Sequence, residues 1–204
     1  MFSLWSGFGN TAGVHRLWCH RSYQAAWPFR VFLMIGHTLV GHYTLHTWSV
    51  GHRTHHKFAD TDADPHNVQR GFTFSHLGWS VMKEHPMVEI KSRTIDFSDI
   101  LRDPVAKFQY DHYYSLYFLF SVVAPTLCNM YFCGETMLTA FIIGYAMRTV
   151  TVTHDTALVN SAAHMFGDKP YNSKIESVEN TWVSVAAVGE GYVPYLQILA
   201  KATN

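Results

Sequence analysis

Two stretches of the chain are apolar over enough consecutive positions to cross a bilayer as helices. Leu116 to Cys133, LYFLFSVVAPTLCNMYFC, runs 18 positions without a charged side chain, near the lower limit for spanning a hydrocarbon core. Pro125 falls inside it, as membrane helices tolerate. After a short Gly134-Glu135 turn, residues 136–159 form a second apolar stretch, interrupted by Arg148, His154 and Asp155. Together the two predict a helical hairpin. A third stretch, 29–50, starts apolar and carries His37, His42 and His46 toward its end, which predicts a helix whose far end emerges into polar protein. Lys57 to Asp111, by contrast, is rich in charge and in Asp, Pro, Asn and His, and reads as a solvent-side segment. Within it DADPHN (Asp62 to Asn67) and RDP (Arg102 to Pro104) are turn signals, and SDIL from Ser98 starts a short helix. The pattern predicts an all-α, integral membrane helical bundle in one domain, 1–204, with 51–112 and 160–204 outside the membrane.

Composition sharpens this picture. Charged residues make up 15% of the chain and hydrophobic residues 48%, so charge is well below the quarter usual in soluble domains. Lys+Arg and Asp+Glu balance at 15 each, which leaves no basic field for nucleic acid. Cys19, Cys128 and Cys133 are odd in number and lack CxxC spacing, arguing against a disulfide framework and a zinc knuckle. The start, MFSLWSGFGN, lacks the basic and apolar regions of a signal peptide.

Histidine changes the picture most, with 14 copies, several of them clustered. In HRTHH, His52, His55 and His56 fall at i, i+3 and i+4 and share one face of an α-helix. Three imidazoles there would repel one another if protonated, so a bound cation is the economical explanation. His15 and His20, five apart, lie about 140° apart on an ideal α-helix, which suits a metal beside a helix end, or two metals. Asn160 and His164 in NSAAH share a helical face again. Neutral imidazole suits Zn, Cu, Fe or Ni, and spacing leaves that choice open. His37, His66, His76, His85 and His112 read as hydrogen-bonded interfacial residues. His42 and His46 lie about 9 to 21 Å along a continuous helix from the His52–His56 group, too far to serve the same metals.

HRLWCHRSY, HRTHHKFADTDADPHN, RGFTFSHLGW, NSAAHMFGDKPY and VGEGY, in this order between about Gly9 and Tyr192, resemble the membrane acyl-CoA desaturases of the stearoyl-CoA (delta-9) type. The resemblance implies a helical membrane fold with a cytosolic histidine-rich cap, in the endoplasmic reticulum membrane. It implies two irons held by nine histidines and, through water, an asparagine. At the matching positions the ligands are His15, His20, His52, His55, His56 and His164, with Asn160 the water-linked residue. The implied reaction uses O2 to convert a methylene pair of a fatty acyl-CoA to a cis double bond, with electrons from cytochrome b5.

The chain departs from that family at four places. GEG-[FY] continues in the family into HNYHH, a third histidine box; here Tyr192 is followed by VPYLQILAKATN, so an incomplete metal site with impaired turnover is expected. The family's Trp-x-Arg-Asp becomes Trp48-Ser49-Val50-Gly51, weakening the grip on the acyl carrier. Thr156 is followed by Ala157 where the family often has Trp, widening the bend of the acyl tunnel that Trp48, Thr156 and Ala157 are expected to line. The family's first helical hairpin and its closing C-terminal region are also expected to be missing. Two other readings stand beside the enzyme: a catalytically inactive relative acting as a binding or regulatory partner, and a histidine-rich membrane metal carrier or b-type haem protein.

Overall fold

The computed structural model describes residues 2–166 together with Val183 and Val185. Regular structure among the described residues is helical throughout, without a strand, as the all-α expectation requires. GDKPY and VGEGY lie outside the described residues. The chain divides into two compact units, Met1–Ser49 with Phe97–Thr153, and Val50–Asp96 with His154–Asn204.

In the first unit, Phe2–Phe8 runs directly into Gly9–Cys19, where the backbone widens to a π-helix. The next helix, Trp27–Val40, opens with Pro28 in its first turn and stops at Gly41, whose φ of 82° is the left-handed conformation that ends helices. These two helices touch backbone to backbone at Gly9 and Gly36. A Cβ at Gly9 would lie 2.3 Å from the Gly36 carbonyl carbon, so only glycine permits this crossing. Around it a core forms from Val14, Leu17, Trp18, Leu33, Met34, Leu45, Ile100 and Val105.

Buried polar groups in this unit bind helix ends. The fully buried Gln109 accepts from the Leu45 N–H at 2.9 Å through Oε1 and donates from Nε2 to Thr38 Oγ1 at 3.3 Å. That satisfies a first-turn donor of the Leu45–Phe58 helix, which would otherwise lack an intrahelical acceptor. Arg148, the charge that interrupts the second apolar stretch, is also buried. Its guanidinium donates to the carbonyls of Leu39, Gly144 and Ser121 and to Ser121 Oγ.

Residues Tyr113–Cys133 form one continuous helix of 21 residues and contain the expected span 116–133. Only 17% of its most apolar window is buried, so Phe118, Leu127 and Tyr131 present their side chains outward rather than to a core. Among the described residues it is the one helix long and apolar enough to cross a membrane.

The second unit takes the C-terminal part of the Leu45–Phe58 helix, the turn-rich segment up to Asp96, and the end of Arg148–Asn160. The DADPHN turn closes on itself: Asp60 adopts φ 59°, its N–H donates to Asp64 Oδ2 at 2.8 Å, and Asn67 Nδ2 donates to the Thr61 carbonyl at 2.9 Å. Asn67 also caps the short Val68–Arg70 helix through the Gln69 N–H. Between Arg148–Asn160 and Ala162–Met165 the chain breaks at Ser161.

Candidate metal centre

In the first unit His15 and His20 stand with their Nε2 atoms 3.0 Å apart and their ring centres 4.6 Å apart. This differs from the 140° separation expected on an α-helix. The reason is the π-helical backbone: the His20 N–H donates to the His15 carbonyl at 3.0 Å, an i→i+5 bond that stacks residues five apart. His15 also meets the Trp48 ring edge-on at 6.1 Å, and the fully buried His37 flanks the same indole at 6.3 Å. Trp48, expected to line the acyl path, therefore packs on a candidate ligand. His42 Nε2 is hydrogen-bonded to Thr153 Oγ1 at 2.9 Å, and His46 packs on Tyr110 and Phe97.

In the second unit His52, His55 and His56 share a face, as their spacing predicts, but they divide into two directions. His52 and His56 pair with ring centres 4.4 Å apart. His55 is buried, with His164 at 5.1 Å and His66 at 5.4 Å. The fold thus brings His164 to the HRTHH group across more than a hundred residues of sequence. Asn160 ends the Arg148–Asn160 helix and His164 lies on the next one, beyond the break at Ser161, so the two do not share one helical face as expected; Asn160 and Thr156 are half-buried and Ala157 buried.

Asp64 organises this cluster. Its Oδ1 accepts from His55 Nδ1 at 2.8 Å and from the His66 N–H at 2.8 Å. Burial by itself would push the Asp64 carboxyl up, but the His55 charge and hydrogen bond outweigh it and hold it at about 2. Burial likewise opposes a charged His55, and the Asp64 carboxylate overrides this and raises its pKa. For His66 and His164, burial, reinforced by the His55 charge, outweighs the weaker pull of the Asp64 carboxylate and lowers both to about 3. Both are therefore neutral at physiological pH, with Nδ1 atoms that are buried and without a hydrogen-bond partner among the described residues.

A carboxylate on one ring nitrogen fixes the tautomer and frees the other nitrogen to ligate. Neutral, buried imidazoles with unused lone pairs are the donor type that iron accepts. The side chains present fit a histidine-held metal.

His66 and Asp64 were not legible as members of this cluster. His66, expected to be a hydrogen-bonded interfacial residue, is buried beside His55 and edge-on to Trp79 at 4.2 Å. The available signal was DADPH itself, a turn that places a carboxylate two residues before an imidazole. Of the other histidines expected to be hydrogen-bonded, His76 bonds Ser161 Oγ, His85 accepts from the Met87 N–H and His112 packs on Phe108.

The family model for fatty acid desaturases matches residues 1–192. A Delta(9)-fatty-acid desaturase of Caenorhabditis elegans is 46% identical over 188 residues, covering 92% of this chain and 56% of the relative. An acyl-CoA Delta12-desaturase of Acheta domesticus is 48% identical over 182 residues, 89% of this chain and 51% of the relative. A stearoyl-CoA desaturase of Homo sapiens is 45% identical over 190 residues, 93% of this chain and 53% of the relative. The chain spans about half the length of the curated relatives it matches.

Proposed function

Since the chain belongs to the fatty acid desaturase family, we propose that it carries a large part of an acyl-CoA desaturase that introduces a cis double bond, at the delta-9 position, into a saturated fatty acyl-CoA. The observation that carries this reading is the buried group of His55 and His164 with Asp64 locking the His55 ring. Delta-9 rests on the motif resemblance, because relatives of nearly equal identity are named for different positions.

His15, His20, His52, His55, His56 and His164 are the residues assigned to hold two irons, with Asn160 acting through water. The irons would supply the activation of O2 needed to oxidise an unactivated methylene pair. The protein's own residues do the rest. Asp64 keeps His55 in the Nδ1–H tautomer, so that Nε2 presents its lone pair. Burial keeps His164 neutral and available as a donor. Trp48, Thr156 and Ala157 are assigned to the wall along which the acyl chain lies, and its placement sets which carbons react.

The Tyr113–Cys133 helix is assigned to cross the membrane, together with 29–50 and 136–159, leaving 51–112 and 160–204 on the cytosolic side of the endoplasmic reticulum. Its outward apolar face supports this. Cytochrome b5 is the proposed electron donor. A catalytically inactive relative that keeps the metal and serves a binding or regulatory partner is the alternative, favoured by Val50-Gly51 standing where the family carries Arg-Asp.

Expression in cells devoid of acyl-CoA desaturase activity tests the proposal, with fatty acids profiled by gas chromatography and iron measured in anaerobically purified protein. New monounsaturated acids support the enzyme. An unchanged profile with bound iron supports the inactive relative, and an unchanged profile without iron overturns both.

A further inference from the structure

Outside the assigned ligands, one other pair of imidazoles in the second unit meets nitrogen to nitrogen. His76 Nε2 lies 3.0 Å from His154 Nδ1, with ring centres 5.2 Å apart. The tautomer of His76 follows from its neighbours. Ser161 Oγ, fully buried, donates its single proton to the Ala157 carbonyl at 2.7 Å. At 2.9 Å from His76 Nδ1 it can therefore only accept, so Nδ1 carries the proton. The lone pair of neutral His76 is then on Nε2, directed at His154. Phe72 stacks on the His76 ring at 5.2 Å with an interplanar angle of 14° and fixes its plane.

We infer that His76 and His154 form a surface cation site for a divalent transition ion of the copper or nickel class, separate from the assigned iron ligands. Two imidazole nitrogens bound at about 2.1 Å with a right-angled bite stand about 3.0 Å apart, whereas a tetrahedral bite separates them by about 3.4 Å. The 3.0 Å spacing is within the range that two imidazoles on one ion span, and along the first-row series such nitrogen donors hold Ni(II) and Cu(II) most strongly. Ser161 supplies the outer hydrogen bond that ligating histidines characteristically make, and that bond orients the ring. His154 is exposed and belongs to the second unit, at the end of 136–159 that leads out to residues 160–204, assigned to the cytosolic side; its proton moves to Nε2 when Nδ1 takes the metal, and water fills the remaining positions. With no ion, the same two nitrogens share the His154 proton as a hydrogen bond, and the pair is held ready at chelating distance.

The test uses the full chain in detergent micelles after chelator treatment, titrated with NiCl2, and compares it with His154→Asn. Wild type is expected to bind one more equivalent of Ni2+ than the variant, and Ser161→Ala to bind that equivalent about tenfold more weakly. Because the histidines assigned to iron would also accept nickel, a residue-resolved readout accompanies the titration: diethyl pyrocarbonate modification mapped by mass spectrometry. Ni2+ is expected to protect His76 and His154 together. Equal stoichiometry in wild type and His154→Asn overturns the site, as does unchanged modification of His154 at saturating Ni2+. The protection measurement on wild type decides the matter if the variant fails to fold.

Discussion

Asp64 Oδ1 accepts His55 Nδ1 at 2.8 Å, and the same oxygen takes the His66 N–H at 2.8 Å. One carboxylate in a buried turn thus sets the orientation of one buried imidazole and the backbone of another.

Asp64→Asn keeps the shape of that carboxylate but removes its charge, and offers an amide that can present an N–H where His55 needs an acceptor. Metal affinity is expected to fall 10- to 100-fold, the range typical of lost outer-sphere partners. Anaerobic Fe2+ titration of wild type and variant measures it.

The same pair gives a pH signature in the metal-free protein. Asp64 is depressed to about 2, so its contribution is complete above the ordinary carboxylate range and disappears as pH falls through about 2. His55 is raised, so its contribution is complete below the ordinary histidine pKa of about 6.5 and disappears as pH rises through its folded value. The stability difference between wild type and Asp64→Asn is therefore expected to be greatest at about pH 4 to 6.5 and to shrink on either side. His66 and His164 are common to both proteins and largely cancel in that difference. Thermal melts across pH give the profile.

Gln109→Leu removes the acceptor of the Leu45 N–H without opening a large cavity. A buried donor left unmet costs about 1–3 kcal/mol, and urea midpoints should fall accordingly.

Leu119 is about half exposed on the Tyr113–Cys133 helix. Leu119→Arg falls about four residues short of the helix centre and is expected to oppose insertion by somewhat less than the roughly 2.5–3.5 kcal/mol of a central arginine. Alkaline extraction should release the variant from membranes while wild type stays in the pellet.

Several features were readable because they depend on neighbours in the chain. The apolar run ending at Cys133 needs only its own residues to come near the thickness of a bilayer's hydrocarbon core. HRTHH needs only a helical repeat to place three imidazoles on one side. His15 and His20 do not follow the same repeat, because Gly9–Cys19 widens from an α-helix to a π-helix. That widening accompanies the Gly9–Gly36 crossing, a contact between segments that periodicity does not record.

By itself, then, the sequence determined the all-helical class, the apolar helix that contains 116–133, and the identities and spacing of the histidines, all properties of local pattern. Tertiary structure decided which imidazoles are companions. It brought His164 and His66 to His55, gave His42 and His46 to other partners, and put Asp64 at the centre of the second unit's cluster. Those outcomes depend on burial and on hydrogen bonds between distant residues, where removing water makes one carboxylate or one unmet nitrogen decisive.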